Sequence, residues 1–232
     1  EVLRWMQAID GGTHTETELA QAVADGSILH TAHSQRTLFE WMHSNPEVVT
    51  LTAVRHPIER AYAAFMSKIF HTGPETYDVI REQLVKYFGV GLPDEDVMKD
   101  ATREFLEAEG YSVGQHRAAF HAFLRFLKDN LAGQTSIRKD GQWDSQMTFL
   151  AGFTSAVPIS LILKEGQMDA GFGYVETVLD LPKSKLGAPI QPDYMFSLDE
   201  IYSRQTENLG RKAYSMDYVR FGFGDYQAAL EF

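Results

Sequence analysis

The stretch Val48-Val-Thr-Leu-Thr-Ala-Val54 constrains this chain more than any other. It is a β-branched, apolar run preceded by the turn residues Ser44-Asn45-Pro46, and it suits a strand covered on both faces. Arg55-His56-Pro57 comes directly after it, and apolar residues then fall at 58, 61, 62, 65 and 69, the spacing of one helix face. A proline at the first helical position is preset for that start. Strand, tight turn and helix in direct succession place the chain in the α/β class, with a mostly parallel central sheet and helices on both faces.

The remaining pattern fits around that unit. Thr15 or Thr17 is positioned to cap a helix over 18–24, and 27–33 reads as a short strand. Residues 35–43 are helical, with Leu38, Phe39 and Met42 on one side. The segment 77–130 reads as an all-helical insertion covering a site, in three pieces at 77–88, 94–109 and 115–130. A second central strand is expected over 157–163, with Pro158 at its start, where a missing N–H costs least. Helices over 167–179 and 198–217 close the chain. No internal repeat or long linker is visible, so a single domain over residues 1–232 is expected.

Composition narrows the partners. The chain has 21 Lys and Arg against 32 Asp and Glu, a net charge of −11, which disfavours nonspecific binding to nucleic acid or to an acidic membrane surface. An anionic ligand must be captured locally. No run approaches the ~18 apolar residues of a membrane helix, so no membrane partner is expected. The absence of cysteine removes disulfides, thiolate metal ligands and a cysteine nucleophile, and makes a reducing, cytoplasmic setting the expectation. His116 and His121 are five residues apart, a poor fit to a zinc pair on one helix face. Gly171-Phe-Gly173 lacks the third glycine and the preceding strand of a dinucleotide fingerprint.

Ligands of open parallel sheets bind beyond the carboxyl ends of the strands, where helix starts present N–H groups and positive field. Arg55 stands at such an end, and its guanidinium can hold a phosphate through two charge-assisted bonds. The segment from Val54 to Ile69, Val-Arg-His-Pro-Ile-Glu-Arg-Ala-Tyr-Ala-Ala-Phe-Met-Ser-Lys-Ile, resembles the 3′-phosphate-binding segment of the carbohydrate sulfotransferases of the Golgi and bacterial type. Trp143-Asp-Ser-Gln146 is similar to that family's Trp-x-x-Gln element. Tyr214-Ser-Met-Asp-Tyr-Val-Arg-Phe-Gly-Phe223 is similar to its C-terminal Tyr-x-x-Asp ending. The three lie in the family's order.

The resemblance implies a P-loop-kinase-like sulfotransferase fold. It also implies transfer of a sulfuryl group from 3′-phosphoadenosine 5′-phosphosulfate (PAPS) to a hydroxyl of a carbohydrate or small-metabolite acceptor, releasing 3′-phosphoadenosine 5′-phosphate (PAP), without a metal. It assigns Arg55 to the 3′-phosphate, assisted by Ser67 or Lys68, and Gln146 to hydrogen bonding nearby. Trp143 is either a ring stacked on adenine or sugar or a buried structural ring. His33, 22 residues before Arg55, is the candidate base, with His30 beside it on the same expected strand. His56 is read as orienting the turn. Two departures accompany the resemblance. The Lys-bearing 5′-phosphosulfate loop is expected upstream of Glu1, and the helical serine expected eight residues after Arg55 is Ala63. They keep two alternatives open: a non-catalytic nucleotide- or glycan-binding relative, and a P-loop-type phosphotransferase.

Overall fold

The computed structural model describes Trp5 and residues 35–98, 101–154, 157–184 and 192–226. The elements expected over 18–24 and 27–33, and with them His30 and His33, lie outside the described residues. In chain order the described elements are α1 (Gln35–Ser44), β1 (Leu51–Val54), α2 (Pro57–Phe65), a π-helical turn (Met66–Phe70), α3 (Asp78–Phe88), α4 (Glu95–Met98), α5 (Arg103–Ala108) and α6 (Val113–Leu131). They continue with α7 (Gln146–Thr154), β2 (Leu161–Lys164), a 3₁₀ turn (Glu165–Gln167), α8 (Met168–Val178), α9 (Leu198–Ile201), α10 (Arg204–Ala213) and α11 (Ser215–Phe221). The class is α/β, with helices and, among the described residues, a parallel sheet of two strands.

The chain divides into two compact units, Glu1–Val54 with Leu150–Gln191, and Arg55–Phe149 with Pro192–Phe232. In the first, β1 pairs with β2 so that Leu51 faces Leu161 and Val54 faces Lys164. Both strands are shorter than their apolar runs. The Thr50 carbonyl accepts from both Ser160 N (2.9 Å) and Leu161 N (3.1 Å), which ends the regular ladder, and Pro158 has no N–H with which to extend it. Helix α8 packs on β2 through Phe172 and Val175. The Trp5 ring stacks on Phe172 at 4.8 Å, and its Nε1–H donates to Glu176 at 2.9 Å.

The second unit is built on α6. Ser112 and Gln115 form a reciprocal capping box at its start, satisfying two of the orphan donors of a first turn. Its buried face, with Phe120, Phe123, Leu124 and Leu127, meets Tyr62 and Phe65 of α2 and Phe70 of the π turn. His116 is buried in this aromatic cluster. Tyr62 donates to the Phe196 carbonyl, so the His116 Nε2–H donates to the Tyr62 oxygen (3.0 Å), and in the neutral ring Nδ1 accepts from Tyr111 (3.2 Å). Burial accordingly pulls its pKa down to about 3. Helix α10 approaches α2 closely at Gly210, where a Cβ would stand 2.7 Å from Ile58 Cγ1.

Two helical expectations are corrected. The segment 94–109 is not one helix: α4 ends at Met98, and Thr102, with extended backbone, caps α5 by accepting from Phe105 N. The segment 198–217 is three helices. Ser203 breaks it by adopting extended backbone and capping α10, and Tyr214 marks the junction with α11. Among the described residues no helix is long and apolar enough to cross a membrane.

Candidate functional site

Arg55 and His56 link β1 to α2. His56 is 4% exposed and caps α2 with its ring: Nδ1 accepts from Ile58 N at 3.3 Å while Nε2–H donates to the Gly224 carbonyl at 3.2 Å. An N–H can only donate and a carbonyl only accept, so the two bonds fix the neutral Nε2–H tautomer. The ring lies among Tyr218, Phe223 and Tyr226, at 5.4, 5.4 and 5.6 Å. Burial there lowers its pKa, more than the Gly224 bond and the Glu207 charge raise it. His56 therefore sets the turn and carries no proton at neutral pH beyond the one its tautomer requires.

Gln146 holds the main chain of Arg55 from the other side. Its Oε1 accepts from Arg55 N and its Nε2 donates to Arg55 O, both at 2.9 Å, so one carboxamide serves residue 55 as a neighbouring strand would. Gln146 opens α7, and the N-terminus of α7 is capped from far along the chain. The carboxylate of Asp217, 0% exposed, accepts from Gln146 N (2.9 Å), Met147 N (2.9 Å) and the Ser145 hydroxyl (2.6 Å). Three donors on one carboxylate satisfy the buried charge and favour the helix start.

The turn before α7 is fixed as firmly. Tyr214 donates to the Trp143 carbonyl at 2.8 Å. The Trp143 indole donates to Asn130 Oδ1 at 3.1 Å, and Asn130 in turn donates to Thr135 Oγ1 and the Ile137 carbonyl. Arg60, one turn into α2, donates to the carbonyls of Asp144 and Gly141. Trp143 is 0% exposed and edge-on to Tyr77 and Phe123, so the reading of it as a stacking surface is corrected: the ring is enclosed by the core and is structural.

The π-helical turn places Ser67 and Lys68 differently from the α-helix that the apolar spacing predicts, because a π turn winds in an extra residue and rotates the residues beyond it. The Ser67 hydroxyl faces the Ala63 carbonyl and Gln142 Oε1, each at 2.9 Å. Lys68 pairs with Glu75 at 3.1 Å. Asp140 lies in the same neighbourhood. Burial alone would raise its pKa, but the Tyr77 hydroxyl at 2.6 Å, the Gln142 N–H at 2.8 Å and the charges of Lys68 and Arg60 bring it below the usual carboxylate value. Ser67 and Lys68 thus serve the 140–142 turn, whereas Gln146 meets Arg55 directly.

The outcome is one hydrogen-bonded assembly from three distant segments, residues 55–60, 141–147 and 214–217. It presents the half-buried Arg55 at the start of α2. The Arg55 charge acts on its neighbours: it opposes protonation of Arg60, whose pKa burial already lowers, and it offsets the burial that raises Tyr194. Arg60 stands among the carboxylates of Asp217 and Asp144, which raise its pKa against burial, so the positive charge at the start of α2 is that of Arg55 together with the helix end. Arg60 and Asp217 receive no role from the sequence, although both fall at fixed positions of the quoted motifs, which is the signal that could have found them. No protein-family model, curated protein or solved structure matches this chain.

Proposed function

We propose that the chain is a PAPS-dependent sulfotransferase domain, with Arg55 receiving the 3′-phosphate of the nucleotide. The observation that carries this reading is the convergence of the three motif segments on the Arg55 turn. Gln146 grips both backbone groups of Arg55, Asp217 caps the helix that carries Gln146, and Tyr214 and Arg60 fix the turn between them. Three segments that resemble elements of one family in sequence, one of them its 3′-phosphate-binding segment, thereby act on one another in space though far apart along the chain. A cation on a fixed main chain at a helix start suits a phosphate.

In this reading the β1–β2 pair belongs to a larger mostly parallel sheet of the P-loop-kinase-like kind. The acceptor hydroxyl oxygen forms a bond to sulfur as the bond from sulfur to the bridging oxygen of the 5′-phosphate breaks. PAP leaves with that oxygen, and the hydroxyl proton passes to His33, or to His30 beside it. Arg55 holds and orients the nucleotide, Gln146 and His56 hold Arg55, and Trp143 stands behind them in the core. Ser67 and Lys68, occupied by Gln142 and Glu75, shape the adjoining turn. The acceptor is a carbohydrate or small metabolite.

Titration calorimetry with PAP tests the assignment. Arg55→Ala is expected to weaken binding by about 100-fold, close to 3 kcal/mol for two charge-assisted contacts. Unchanged affinity would remove Arg55 from the site. The non-catalytic alternative is favoured by Ala63, which supplies no hydroxyl at the expected position. PAP binding without sulfuryl transfer to any hydroxyl acceptor would select it.

A further inference from the structure

A separate cleft of about 510 Å³ opens in the second unit where the C-terminal end of α3 and the loop after it face α6 and α10. In a chain with 32 Asp and Glu against 21 Lys and Arg, no residue lining this cleft is acidic. Its charge comes from Arg125 on α6. That side chain is exposed, and among the described residues no carboxylate or carbonyl engages its guanidinium. Arg117, the other arginine near His121, is committed to the Ile201 and Glu200 carbonyls.

The neighbours of Arg125 define a ligand. Gln205 of α10 contributes a carboxamide to the lining, whereas Gln115 lies ten residues before Arg125 on α6, about 15 Å along the axis, with its Oε1 on Ser112 N at 2.7 Å. His121 Nε2 and the Thr206 hydroxyl share a hydrogen bond of 2.7 Å, and burial beside Arg125 and Arg117 keeps the ring neutral, so the lining carries a single positive charge. Phe88 and Ala118 give one apolar wall. Gly91 leaves the rim open, for a Cβ there would meet nothing within 4 Å.

We propose that this cleft binds a small organic monocarboxylate with an apolar body, the carboxylate paired with the Arg125 guanidinium and the carboxamide of Gln205, and the body laid against Phe88 and Ala118. One guanidinium fork matches one planar carboxylate. A phosphate dianion would find no second cation, and a neutral analogue would leave Arg125 without its counterion. The volume lies within the range of small-molecule sites. The proposal does not rest on the nucleotide reading, because none of its residues belongs to the Arg55 assembly.

The test uses the full chain and benzoate as probe, with benzamide and inorganic phosphate as controls, read by calorimetry and by chemical-shift changes of the Gln205 side-chain amide. Benzoate is expected to bind at least about 10-fold more tightly than either control. Arg125→Gln, which breaks no bond of the fold, is expected to erase that preference with the thermal midpoint unchanged. Gly91→Leu is expected to exclude benzoate by filling the rim, and Arg55→Ala to leave benzoate binding intact. The proposal is overturned if benzoate does not bind, if phosphate or benzamide binds as well, if Arg125→Gln retains the preference, or if Arg55→Ala abolishes it.

Discussion

Replacing Gln146 by leucine removes one side chain of similar size and, with it, the two 2.9 Å bonds that hold residue 55. Arg55 N and O are then left facing an apolar group. An unsatisfied polar group costs about 1–3 kcal/mol, and because residue 55 is only half-buried, water recovers part of that, so the expected loss is about 2–4 kcal/mol. Urea unfolding observed by tryptophan fluorescence reads this loss, and PAP affinity is expected to fall with it because the guanidinium loses its fixed base. Gln146→Glu sharpens the test. Its carboxylate can accept from Arg55 N but turns a second acceptor toward Arg55 O. Only the protonated acid restores the donor, so the folded state raises the new carboxyl's pKa above the unfolded ~4.3. Stability of Gln146→Glu relative to the wild type is therefore greatest below that unfolded value and is lost as pH rises through the folded pKa. The reasoning is refuted if Gln146→Leu unfolds within about 0.5 kcal/mol of the wild type, or if acidification does not narrow the gap for Gln146→Glu.

Two further outcomes concern buried groups elsewhere in the second unit. His116 and His121 have pKa values of about 3 and about 4 in the fold, both lowered first by burial, against 6.5 when unfolded. The unfolded chain takes up the extra protons, so their contribution is full above about pH 7, falls as pH drops through 6.5, and has declined by about 2 kcal/mol each at pH 5. Urea titrations at pH 7 and pH 5 check this, and His121→Gln, which keeps a partner for Thr206 without a titrating ring, is expected to remove its share of the loss. Gly210→Ala is expected to cost about 1–3 kcal/mol, since its Cβ would sit 2.7 Å from Ile58 Cγ1 and force α10 away from α2; an unchanged thermal midpoint would show that Ile58 simply moves aside.

The parts of this fold that are legible in the sequence are those whose signals are local. The start of α2 is announced by His56-Pro57 and by apolar spacing, and α6, a helix of 19 residues, by its apolar face. Helix α7 has no such signal. Its residues Met147, Phe149, Leu150 and Ala151 mark no single face, and its cap, Asp217, arrives from 71 residues away, so neither periodicity nor a local capping residue reveals it. The break at Ser203 carries a local signal, a serine able to cap followed by no apolar residue before Leu209, while the helix beyond it buries Thr206, Glu207 and Gly210, a face that apolar spacing does not reveal. Of the site, the pairing of Arg55 with Gln146 is implied only by the resemblance; composition and spacing place the two residues nowhere near one another. The burial of Trp143 and the engagement of Ser67 and Lys68 by Gln142 and Glu75 are products of tertiary packing, which no local pattern encodes.

The carboxamide of Gln146 takes hold of residue 55 by its peptide groups alone and makes no demand on what projects beyond them. Such a mount works like a socket whose fitting can be exchanged. Lysine, glutamine or serine installed at 55 would inherit the same main-chain anchorage, so ligand preference there can be varied while the two Gln146 bonds are kept.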